Sequence, residues 1–298
     1  YSKKLNKKGN EILYSLGVNP DNEILLHYCS TVGLNPCRKI STKVSKDGNV
    51  IWSTDILSSG TWGGALALKD GGQLVYNNGS HRVCRLDNNG DLAWVKALDF
   101  WQYYAVHAVE HTSGDLYICY EKTYASSNHY YVIVKFDAQG NYTGVTSKAI
   151  NTSRVVGMAP IPAGVHVFFN ANAAGVTSTF RAEYNASLTA TGVFFTSYDS
   201  AKMESSYFRS SQNFGQISFS NFSNFRSTTT SPSEGGLPAC NIRGTLFPNG
   251  FIRPNVFNTA LTPSKINLSS EDIFHEYFQE MEYSATVHCR SCDTLTPN

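Results

Sequence analysis

Short apolar runs alternate with turn-forming residues along most of the chain. Residues 116–120 (LYICY) are representative, because five strand-favouring side chains follow the turn sequence TSG at 112–114. Runs of this length are too short for helices, and their β-branched and aromatic content favours strands. The hydrophobic pattern therefore predicts an all-β protein made of many short antiparallel strands.

A turn of constant design recurs along the chain. Residues 85–91 (RLDNNGD) place Asp87 three positions before Gly90, and residues 43–49 (KVSKDGN) carry Gly48 in the same slot. In such a hairpin the side chain of Asp, Asn or Ser bonds the turn backbone, while Gly adopts a positive φ. The predicted structural turn residues are Gly9, Gly48, Gly90, Gly140, Asp87 and Asp137, and Leu188 takes the Gly slot of a degraded copy.

A second series of turns interleaves with the first. The Gly slots lie 39 to 50 residues apart, and the second turns fall at 19–22, 69–72, 112–114, 162–164 and 213–215. Each unit then reads strand, turn, strand, loop, strand, turn, strand. Four antiparallel strands in each unit of this length are typical of a β-propeller blade.

Two segments carry a family resemblance. Residues 85–98 (RLDNNGDLAWVKAL) and 43–56 (KVSKDGNVIWSTDI) resemble the D-x-x-G-x-x-x-W repeats of quinoprotein-like propellers and their non-catalytic relatives. The resemblance extends over residues 3 to 200, although the Trp is present only at 52 and 94, and Gly144 and Gly192 hold its slot later. It implies blade architecture. The group contains quinone-dependent dehydrogenases, assembly scaffolds and surface proteins, so it implies no single function.

The repeats predict one propeller domain over residues 1–298. Residues 1–16 are expected to supply closing strands, 17–252 five blades, and 253–298 a short C-terminal helix and a closing strand. An unpaired sheet edge invites aggregation, so the ring is expected to close. Joining N- and C-terminal strands gives six blades, and a seventh blade within 198–260 or closure by upstream residues are the alternatives.

The C-terminal region is less regular than the repeats. Residues 221–238 are polar and rich in turn formers, and they read as a long loop. Residues 269–272 (SSED) resemble a capping box, and apolar residues at helical spacing follow over 273–281. This pattern predicts a helix that packs on the propeller or binds a partner.

The repeat register assigns the connections to two faces. Both turn series fall on one face, the short-turn face, and the variable connections fall on the opposite long-loop face. Variable loops on a rigid scaffold usually carry function. Aromatic side chains among Asn and Ser suit glycan or protein recognition, and packing between blades is the alternative role. The candidate binding residues are Trp62, Trp101, Tyr103, Tyr104, His129 and Tyr130.

Composition narrows the class of protein. The net charge is +1, which gives no electrostatic footprint for nucleic acid or an anionic membrane. No apolar run approaches membrane-spanning length, so membrane insertion is not expected. Only 16% of residues are charged, a balance typical of extracellular or virion-surface β-proteins.

Cysteine placement points to the same compartments. The chain has 7 cysteines, and Cys29 and Cys37 bracket a loop that contains Gly33 and Pro36. The ends of a hairpin loop approach within disulfide reach. We therefore predict a Cys29–Cys37 disulfide if the compartment is oxidising.

Two strings in the sequence resemble catalytic or metal-binding motifs, but neither fits the structure that its motif requires. Residues 107–111 (HAVEH) match a zinc-protease string, but that motif requires a helix and here falls in an alternating strand. Residues 288–292 (HCRSC) offer too few ligands for a four-coordinate zinc site. No catalytic residue, metal or cofactor is therefore predicted.

The sequence favours a recognition or structural module. It is expected on a virion, outside a cell or at a cell surface, where it binds a glycan or protein partner as part of a fibre, tail or surface assembly. Homo-oligomerisation fits this setting. The alternative is a propeller enzyme that acts on glycans, or a quinone-dependent dehydrogenase. The blades of a propeller surround a central channel. An enzyme requires carboxylate, His or Arg side chains with perturbed pKa values that converge at the mouth of this channel.

Overall fold

The computed structural model describes fifteen segments of the chain, and every regular element in them is a β-strand. The described residues are 3–5, 10–31, 38–56, 64–77, 81–99, 103–122, 128–151, 155–173, 176–195, 202–208, 214–220, 224–230, 242–243, 255–266 and 270–272. Among them, no helix is long and apolar enough to cross a membrane.

Four antiparallel sheets follow one another along the chain, each built from four consecutive strands. Blade 1 contains β2 (Asn10–Val18), β3 (Ile24–Thr31), β4 (Arg38–Val44) and β5 (Val50–Asp55), and β1 (Lys3–Leu5) precedes it. Blade 2 contains β6 (Gly64–Ala67), β7 (Gln73–Asn77), β8 (Arg82–Leu86) and β9 (Leu92–Leu98). Blade 3 contains β10 (Tyr103–Glu110), β11 (Leu116–Lys122), β12 (Asn128–Phe136) and β13 (Tyr142–Asn151). Blade 4 contains β14 (Val155–Ile161), β15 (Gly164–Ala173), β16 (Val176–Asn185) and β17 (Ala190–Phe195).

A fifth sheet has three strands: β18 (Lys202–Phe208), β19 (Phe214–Ser220) and β20 (Asn224–Thr230). The first strands β2, β6, β10, β14 and β18 contact one another in chain order. This arrangement is the all-β, propeller-like stacking that the repeats predict.

Two local predictions are wrong. β20 lies inside residues 221–238, which read as a long loop, because the β-branched threonines of 224–230 (NFRSTTT) pair with β19. β24 (Ser270–Asp272) lies where a helix was expected to begin, because its backbone pairs antiparallel with β1. The rest of the predicted helix lies outside the described residues.

Short strands near the C-terminal end pair with the outer edges of the blades. β21 (Ile242–Arg243) pairs with β17, β22 (Val256–Asn258) with β9, and β23 (Ser264–Lys265) with β5. Along the chain these short strands therefore pair with blade 4, then blade 2, then blade 1, which is the reverse of the order in which the blades occur in the sequence. We call residues 255–266 the belt.

Three apolar layers lie between successive blades. The layer between blades 1 and 2 includes Leu25 and Leu86, and the layer between blades 2 and 3 includes Leu74 and Ile118. Blades 3 and 4 share a layer around Tyr131 and Tyr184, whose hydroxyl groups are 2.6 Å apart. Alternate residues of each strand point to opposite neighbours, so each central blade contributes to two layers.

The repeated turns adopt the geometry that their sequence suggests. Asp87 Oδ1 accepts hydrogen bonds from the backbone N–H groups of Asn89 and Asp91, at 2.9 and 2.8 Å. Gly90 has a φ of 74° and Gly140 a φ of 80°. The same turn recurs at Asp137 and, with Gly48 at a φ of 83°, at residues 45–49. Gly9 lies outside the described residues.

The Trp of one blade packs on the turn glycine of the next. A Cβ placed on Gly90 would lie 2.5 Å from the Trp52 ring, and a Cβ on Gly140 would lie 2.6 Å from the Trp94 ring. Trp52 Nε1 donates a hydrogen bond to the carbonyl of Asn88 at 2.9 Å. Only glycine therefore leaves room for the ring, and the D-x-x-G-x-x-x-W pattern encodes contacts between blades.

At the joint between blades 3 and 4 the bulky and small residues exchange places. Gly144 occupies the Trp slot of blade 3, and Leu188 occupies the Gly slot of blade 4. Leu188 is 4% exposed, and its Cδ1 lies 3.5 Å from the position of a Cβ on Gly144. Leu188 keeps the left-handed turn, with a φ of 59°. Leu188 of blade 4 thus fills the space between blades 3 and 4 that a Trp of the preceding blade fills in the other joints.

A cation also links each of blades 1, 2 and 3 to the repeated turn of the following blade. Lys43, Arg85 and Lys135 each lie five residues before their own Gly slot. Lys43 Nζ donates to Asn88 Oδ1, Arg85 Nη1 to the carbonyl of Ala138, and Lys135 Nζ to the carbonyl of Ala186. Blade 4 has Glu183 in this slot, and Glu183 pairs within its own blade with His166 and Arg181.

The exchanged joint predicts a compensating pair of substitutions. Gly144→Trp is expected to cost about 1–3 kcal/mol through overpacking against Leu188. Leu188→Gly is expected to cost about 2–5 kcal/mol through a cavity. The double variant recreates the Trp–Gly joint, so urea unfolding should show a favourable coupling energy of about 1–3 kcal/mol. Additive losses would show that the two positions do not share one contact.

Buried His27 predicts a pH dependence of stability. It is 1% exposed, its Nδ1 lies 3.1 Å from Ser41 Oγ, and burial lowers its pKa to about 3. An unfolded His has a pKa of about 6.5, so the unfolded state binds the extra proton between these values and stability falls as pH falls. His27→Gln should reduce the slope of unfolding free energy between pH 6.5 and 5 by about 1 kcal/mol per pH unit. An unchanged slope would mean that His27 has the same pKa in the folded and the unfolded protein.

Candidate functional site

The long-loop face is formed where the first strands begin and the second strands end. In blade 3, Tyr103 and Tyr104 open β10, Glu121 lies near the end of β11, and Tyr130 lies near the start of β12. The register pairs Tyr104 with Glu121, and Glu121 with Tyr131. Aromatic side chains therefore gather at the long-loop end of blade 3.

Tyr103 and Tyr104 point to opposite sides of blade 3. Tyr103 is 4% exposed and packs in the layer between blades 2 and 3, whereas Tyr104 is 43% exposed. Burial and the nearby phenol of Tyr130 raise the pKa of Tyr103 to about 12. Tyr103 is thus a neutral anchor for the strand, and Tyr104 presents its ring to solvent.

Glu121 fixes the adjoining edge of blade 4. Its side chain is buried, and Oε1 accepts a hydrogen bond from the backbone N–H of Val155 at 3.0 Å. Val155 is the first residue of β14. This carboxylate therefore links blade 3 to blade 4 at the residue that pairs with Tyr104.

His81 supports the same region from blade 2. It has a φ of 48°, which is uncommon for residues other than glycine, although His is among the enriched types. Its carbonyl accepts a hydrogen bond from the N–H of Leu98 at 2.9 Å, and its ring bonds the backbone of Tyr103. Burial lowers the pKa of His81, and the bond to Tyr103 partly opposes this shift. His81 therefore joins the end of β9 to the start of β10.

The structure describes only part of the predicted binding set. It brings Tyr103 and Tyr130 together and places Tyr104 on the opposite side of the same blade. Trp62 and Trp101 lie outside the described residues, and His129 belongs to β12 but its side chain is not described. Sequence reasoning missed His81. The available signal was a His directly after the turn sequence at 78–80 (NGS).

The residues of the zinc-protease-like string 107–111 lie in a strand or bond the surrounding scaffold. His107 and Glu110 lie in β10 rather than on a helix, and both ring nitrogens of His111 have partners, Ser113 Oγ and the carbonyl of Ile161, each at 2.8 Å. Among the described residues, no group of three or more His, Cys, Asp or Glu side chains is arranged to hold a metal. Cys29 is buried in β3 and Cys37 lies outside the described residues, so their disulfide stays a prediction.

Comparisons with known proteins identify no family for this chain. No protein-family model matches the chain, and no characterised protein matches it in sequence. A streptogramin B lyase structure, a β-propeller, shares 14% identity at a TM-score of 0.45, covering 68% of this chain and 61% of that one. Virginiamycin B lyase from Staphylococcus aureus shares 10% identity at a TM-score of 0.30, covering 72% and 96%. The chain thus spans less than two thirds of the streptogramin B lyase.

The backbone strain at His81 predicts a specific order of substitutions. Asn adopts positive φ readily, whereas a β-branched residue does so only at a cost of about 1–3 kcal/mol. His81→Val should therefore lower the free energy of unfolding by more than His81→Asn, with both measured by urea unfolding. Equal losses would show that the ring bond to Tyr103 matters and the backbone conformation does not.

Proposed function

We propose that this chain is a recognition module that binds a glycan or protein partner through the long-loop face of a β-propeller. The observation that carries the proposal is Tyr104, whose ring is 43% exposed at the start of a strand that the buried Tyr103 and the ring of His81 anchor. A Tyr ring has only two side-chain torsions, so ordering it on binding costs little entropy, which favours an aromatic anchor.

Two ionisable side chains that the structure describes at this end of blade 3, Glu121 and His81, favour recognition over catalysis. Glu121 is engaged by the backbone of Val155, and the ring of His81 is engaged by the backbone of Tyr103. A general acid or base must instead reach a substrate proton. These two groups serve the scaffold, so the enzyme alternative draws no support from them.

The proposal includes a closed ring of six blades on a virion, outside a cell or at a cell surface. Pairing of β1 with β24 supports closure by the two ends of the chain. Tyr28 and Ile40 support it too, because they face away from blade 2 and are 3% and 0% exposed. A crystal structure showing another blade number would contradict this part of the proposal.

The recognition role predicts a binding defect that is separable from folding. The ligand is first identified as a glycan on an array, or a cell surface, that the unmodified protein binds. Affinity for that ligand should fall roughly ten-fold or more in each of the variants Tyr104→Ala, Trp62→Ala and Trp101→Ala. Their thermal unfolding should stay close to that of the unmodified protein.

Tyr142 provides the matched control. It is 40% exposed and opens β13 directly after a turn of the short-turn face. Tyr142→Ala removes a similar exposed ring from the opposite face, so binding should be unaffected. Equal binding losses for Tyr104→Ala and Tyr142→Ala, or unfolding of the Trp variants without a binding defect, would overturn the assignment of the face.

A further inference from the structure

The belt covers the outer backbone edges of blades 1 and 2. Val256–Asn258 pair with Lys96–Leu98 of β9, and residues 264–265 pair with 54–55 of β5. Outer edges of a sheet carry unpaired N–H and C=O groups that readily bind another strand. The belt satisfies part of these edges from within the chain.

At blade 2 the belt is held by a reciprocal polar contact. Asp99 accepts hydrogen bonds from the backbone N–H and the side-chain amide of Asn255, both at 2.6 Å, and its own N–H donates to the carbonyl of Asn255 at 3.2 Å. Lys96 Nζ donates to Asn258 Oδ1 at 2.6 Å. Val256 packs against the layer between blades 2 and 3.

At blade 1 the belt reaches the joint between two blades. Lys265 Nζ donates to the carbonyl of Asn89, lies 3.2 Å from Asp91 Oδ1, and is 5.7 Å from the centre of the Trp52 ring. Leu261 packs against the layer between blades 1 and 2. One belt residue therefore contacts both the Trp of blade 1 and the turn of blade 2.

The belt is attached far more weakly than the blades. Its strands have three and two residues, whereas β9 and β5 have seven and six. None of the belt residues is fully buried, and Phe257 is 49% exposed. An element with few buried contacts opens at a lower free energy than the whole protein.

We propose that the belt is a clasp that opens without unfolding of the blades and exchanges between two copies of this chain. The edges that it leaves already carry partners for its side chains: Asp99 for Asn255, Lys96 for Asn258 and Asp91 for Lys265. The occupant that fits best is therefore the belt of a second copy. Exchange of an identical element joins protomers without a new interface, and it supplies the multivalency that a surface-binding module uses.

Hydrogen–deuterium exchange of the intact protein tests the first half. In a Leu261→Ala/Lys265→Ala variant, peptides from β5 and β9 should exchange about ten-fold faster, while peptides from β7 and β11 keep their rates. Lys46→Ala, an exposed change in a turn of blade 1, should alter none of them. Unchanged rates in β5 and β9, or equal acceleration everywhere, would overturn independent opening.

Cysteine trapping tests the second half. The backbone contact of residues 99 and 255 brings Cys side chains at these positions within disulfide reach. Pools of ¹⁵N-labelled and unlabelled Asp99→Cys/Asn255→Cys protein are mixed. The mixture is incubated under conditions in which the backbone amides of β9 exchange their hydrogens rapidly, and it is then oxidised. Bridged peptides with one labelled and one unlabelled half are expected.

The label pattern decides the outcome. Bridged peptides with only like labels would show that the belt reopens onto its own chain, and the exchange between copies would be wrong. Asp99→Cys alone is the control for bridges to the native cysteines. Neither experiment measures binding by the long-loop face, so a negative result here leaves the recognition proposal standing.

Discussion

Steric exclusion at one turn position governs how the described blades fit together. The turn glycines Gly90 and Gly140 have a positive φ and also lie under a side chain of the preceding blade, Trp52 and Trp94 respectively. A Cβ on Gly90 would meet the indole ring at 2.5 Å. Local turn geometry and packing between blades thus demand the same residue, and this agreement explains why the motif repeats with the blade period. At Gly144 and Leu188 the partners exchange size but the space stays filled.

The polar contacts follow the same direction around the blades. Each cation at the slot of Lys43, Arg85 and Lys135 is paired with an acid of its own blade and donates to the next turn. The acid orients the cation, and the turn carbonyl or amide oxygen receives it, so the link is directional. Glu183 breaks the series at blade 4, since a carboxylate cannot donate to a turn carbonyl. The regular joints therefore extend from blade 1 to blade 4, the same range in which the sequence motif is recognisable.

Much of the described fold could be predicted from sequence because its information is local. Alternating apolar runs and turns indicated the strands of blades 1 to 4, and the Gly slots indicated the order of hairpins. β20 was missed because a Ser- and Thr-rich segment reads as a loop until its partner strand is known. β24 was missed because pairing with β1 overrides a local capping signal. The belt was invisible for a related reason, since strands of two or three residues carry no periodicity.

The candidate site was predictable only in outline, because the two faces of the propeller differ in how regularly their residues repeat. On the short-turn face, side chains such as Lys43, Arg85 and Trp52 are committed to the neighbouring blade, so repeats must recur there. On the long-loop face, contacts between blades such as Glu121 with Val155 are not repeated from blade to blade, so a single sequence gives its residues no pattern. His81 shows the limit, because its role depends on a positive φ and on Tyr103, more than twenty positions away. The face that varies is therefore the one whose chemistry must be read from contacts, and there the buried Tyr103 anchors the strand that presents Tyr104 to solvent.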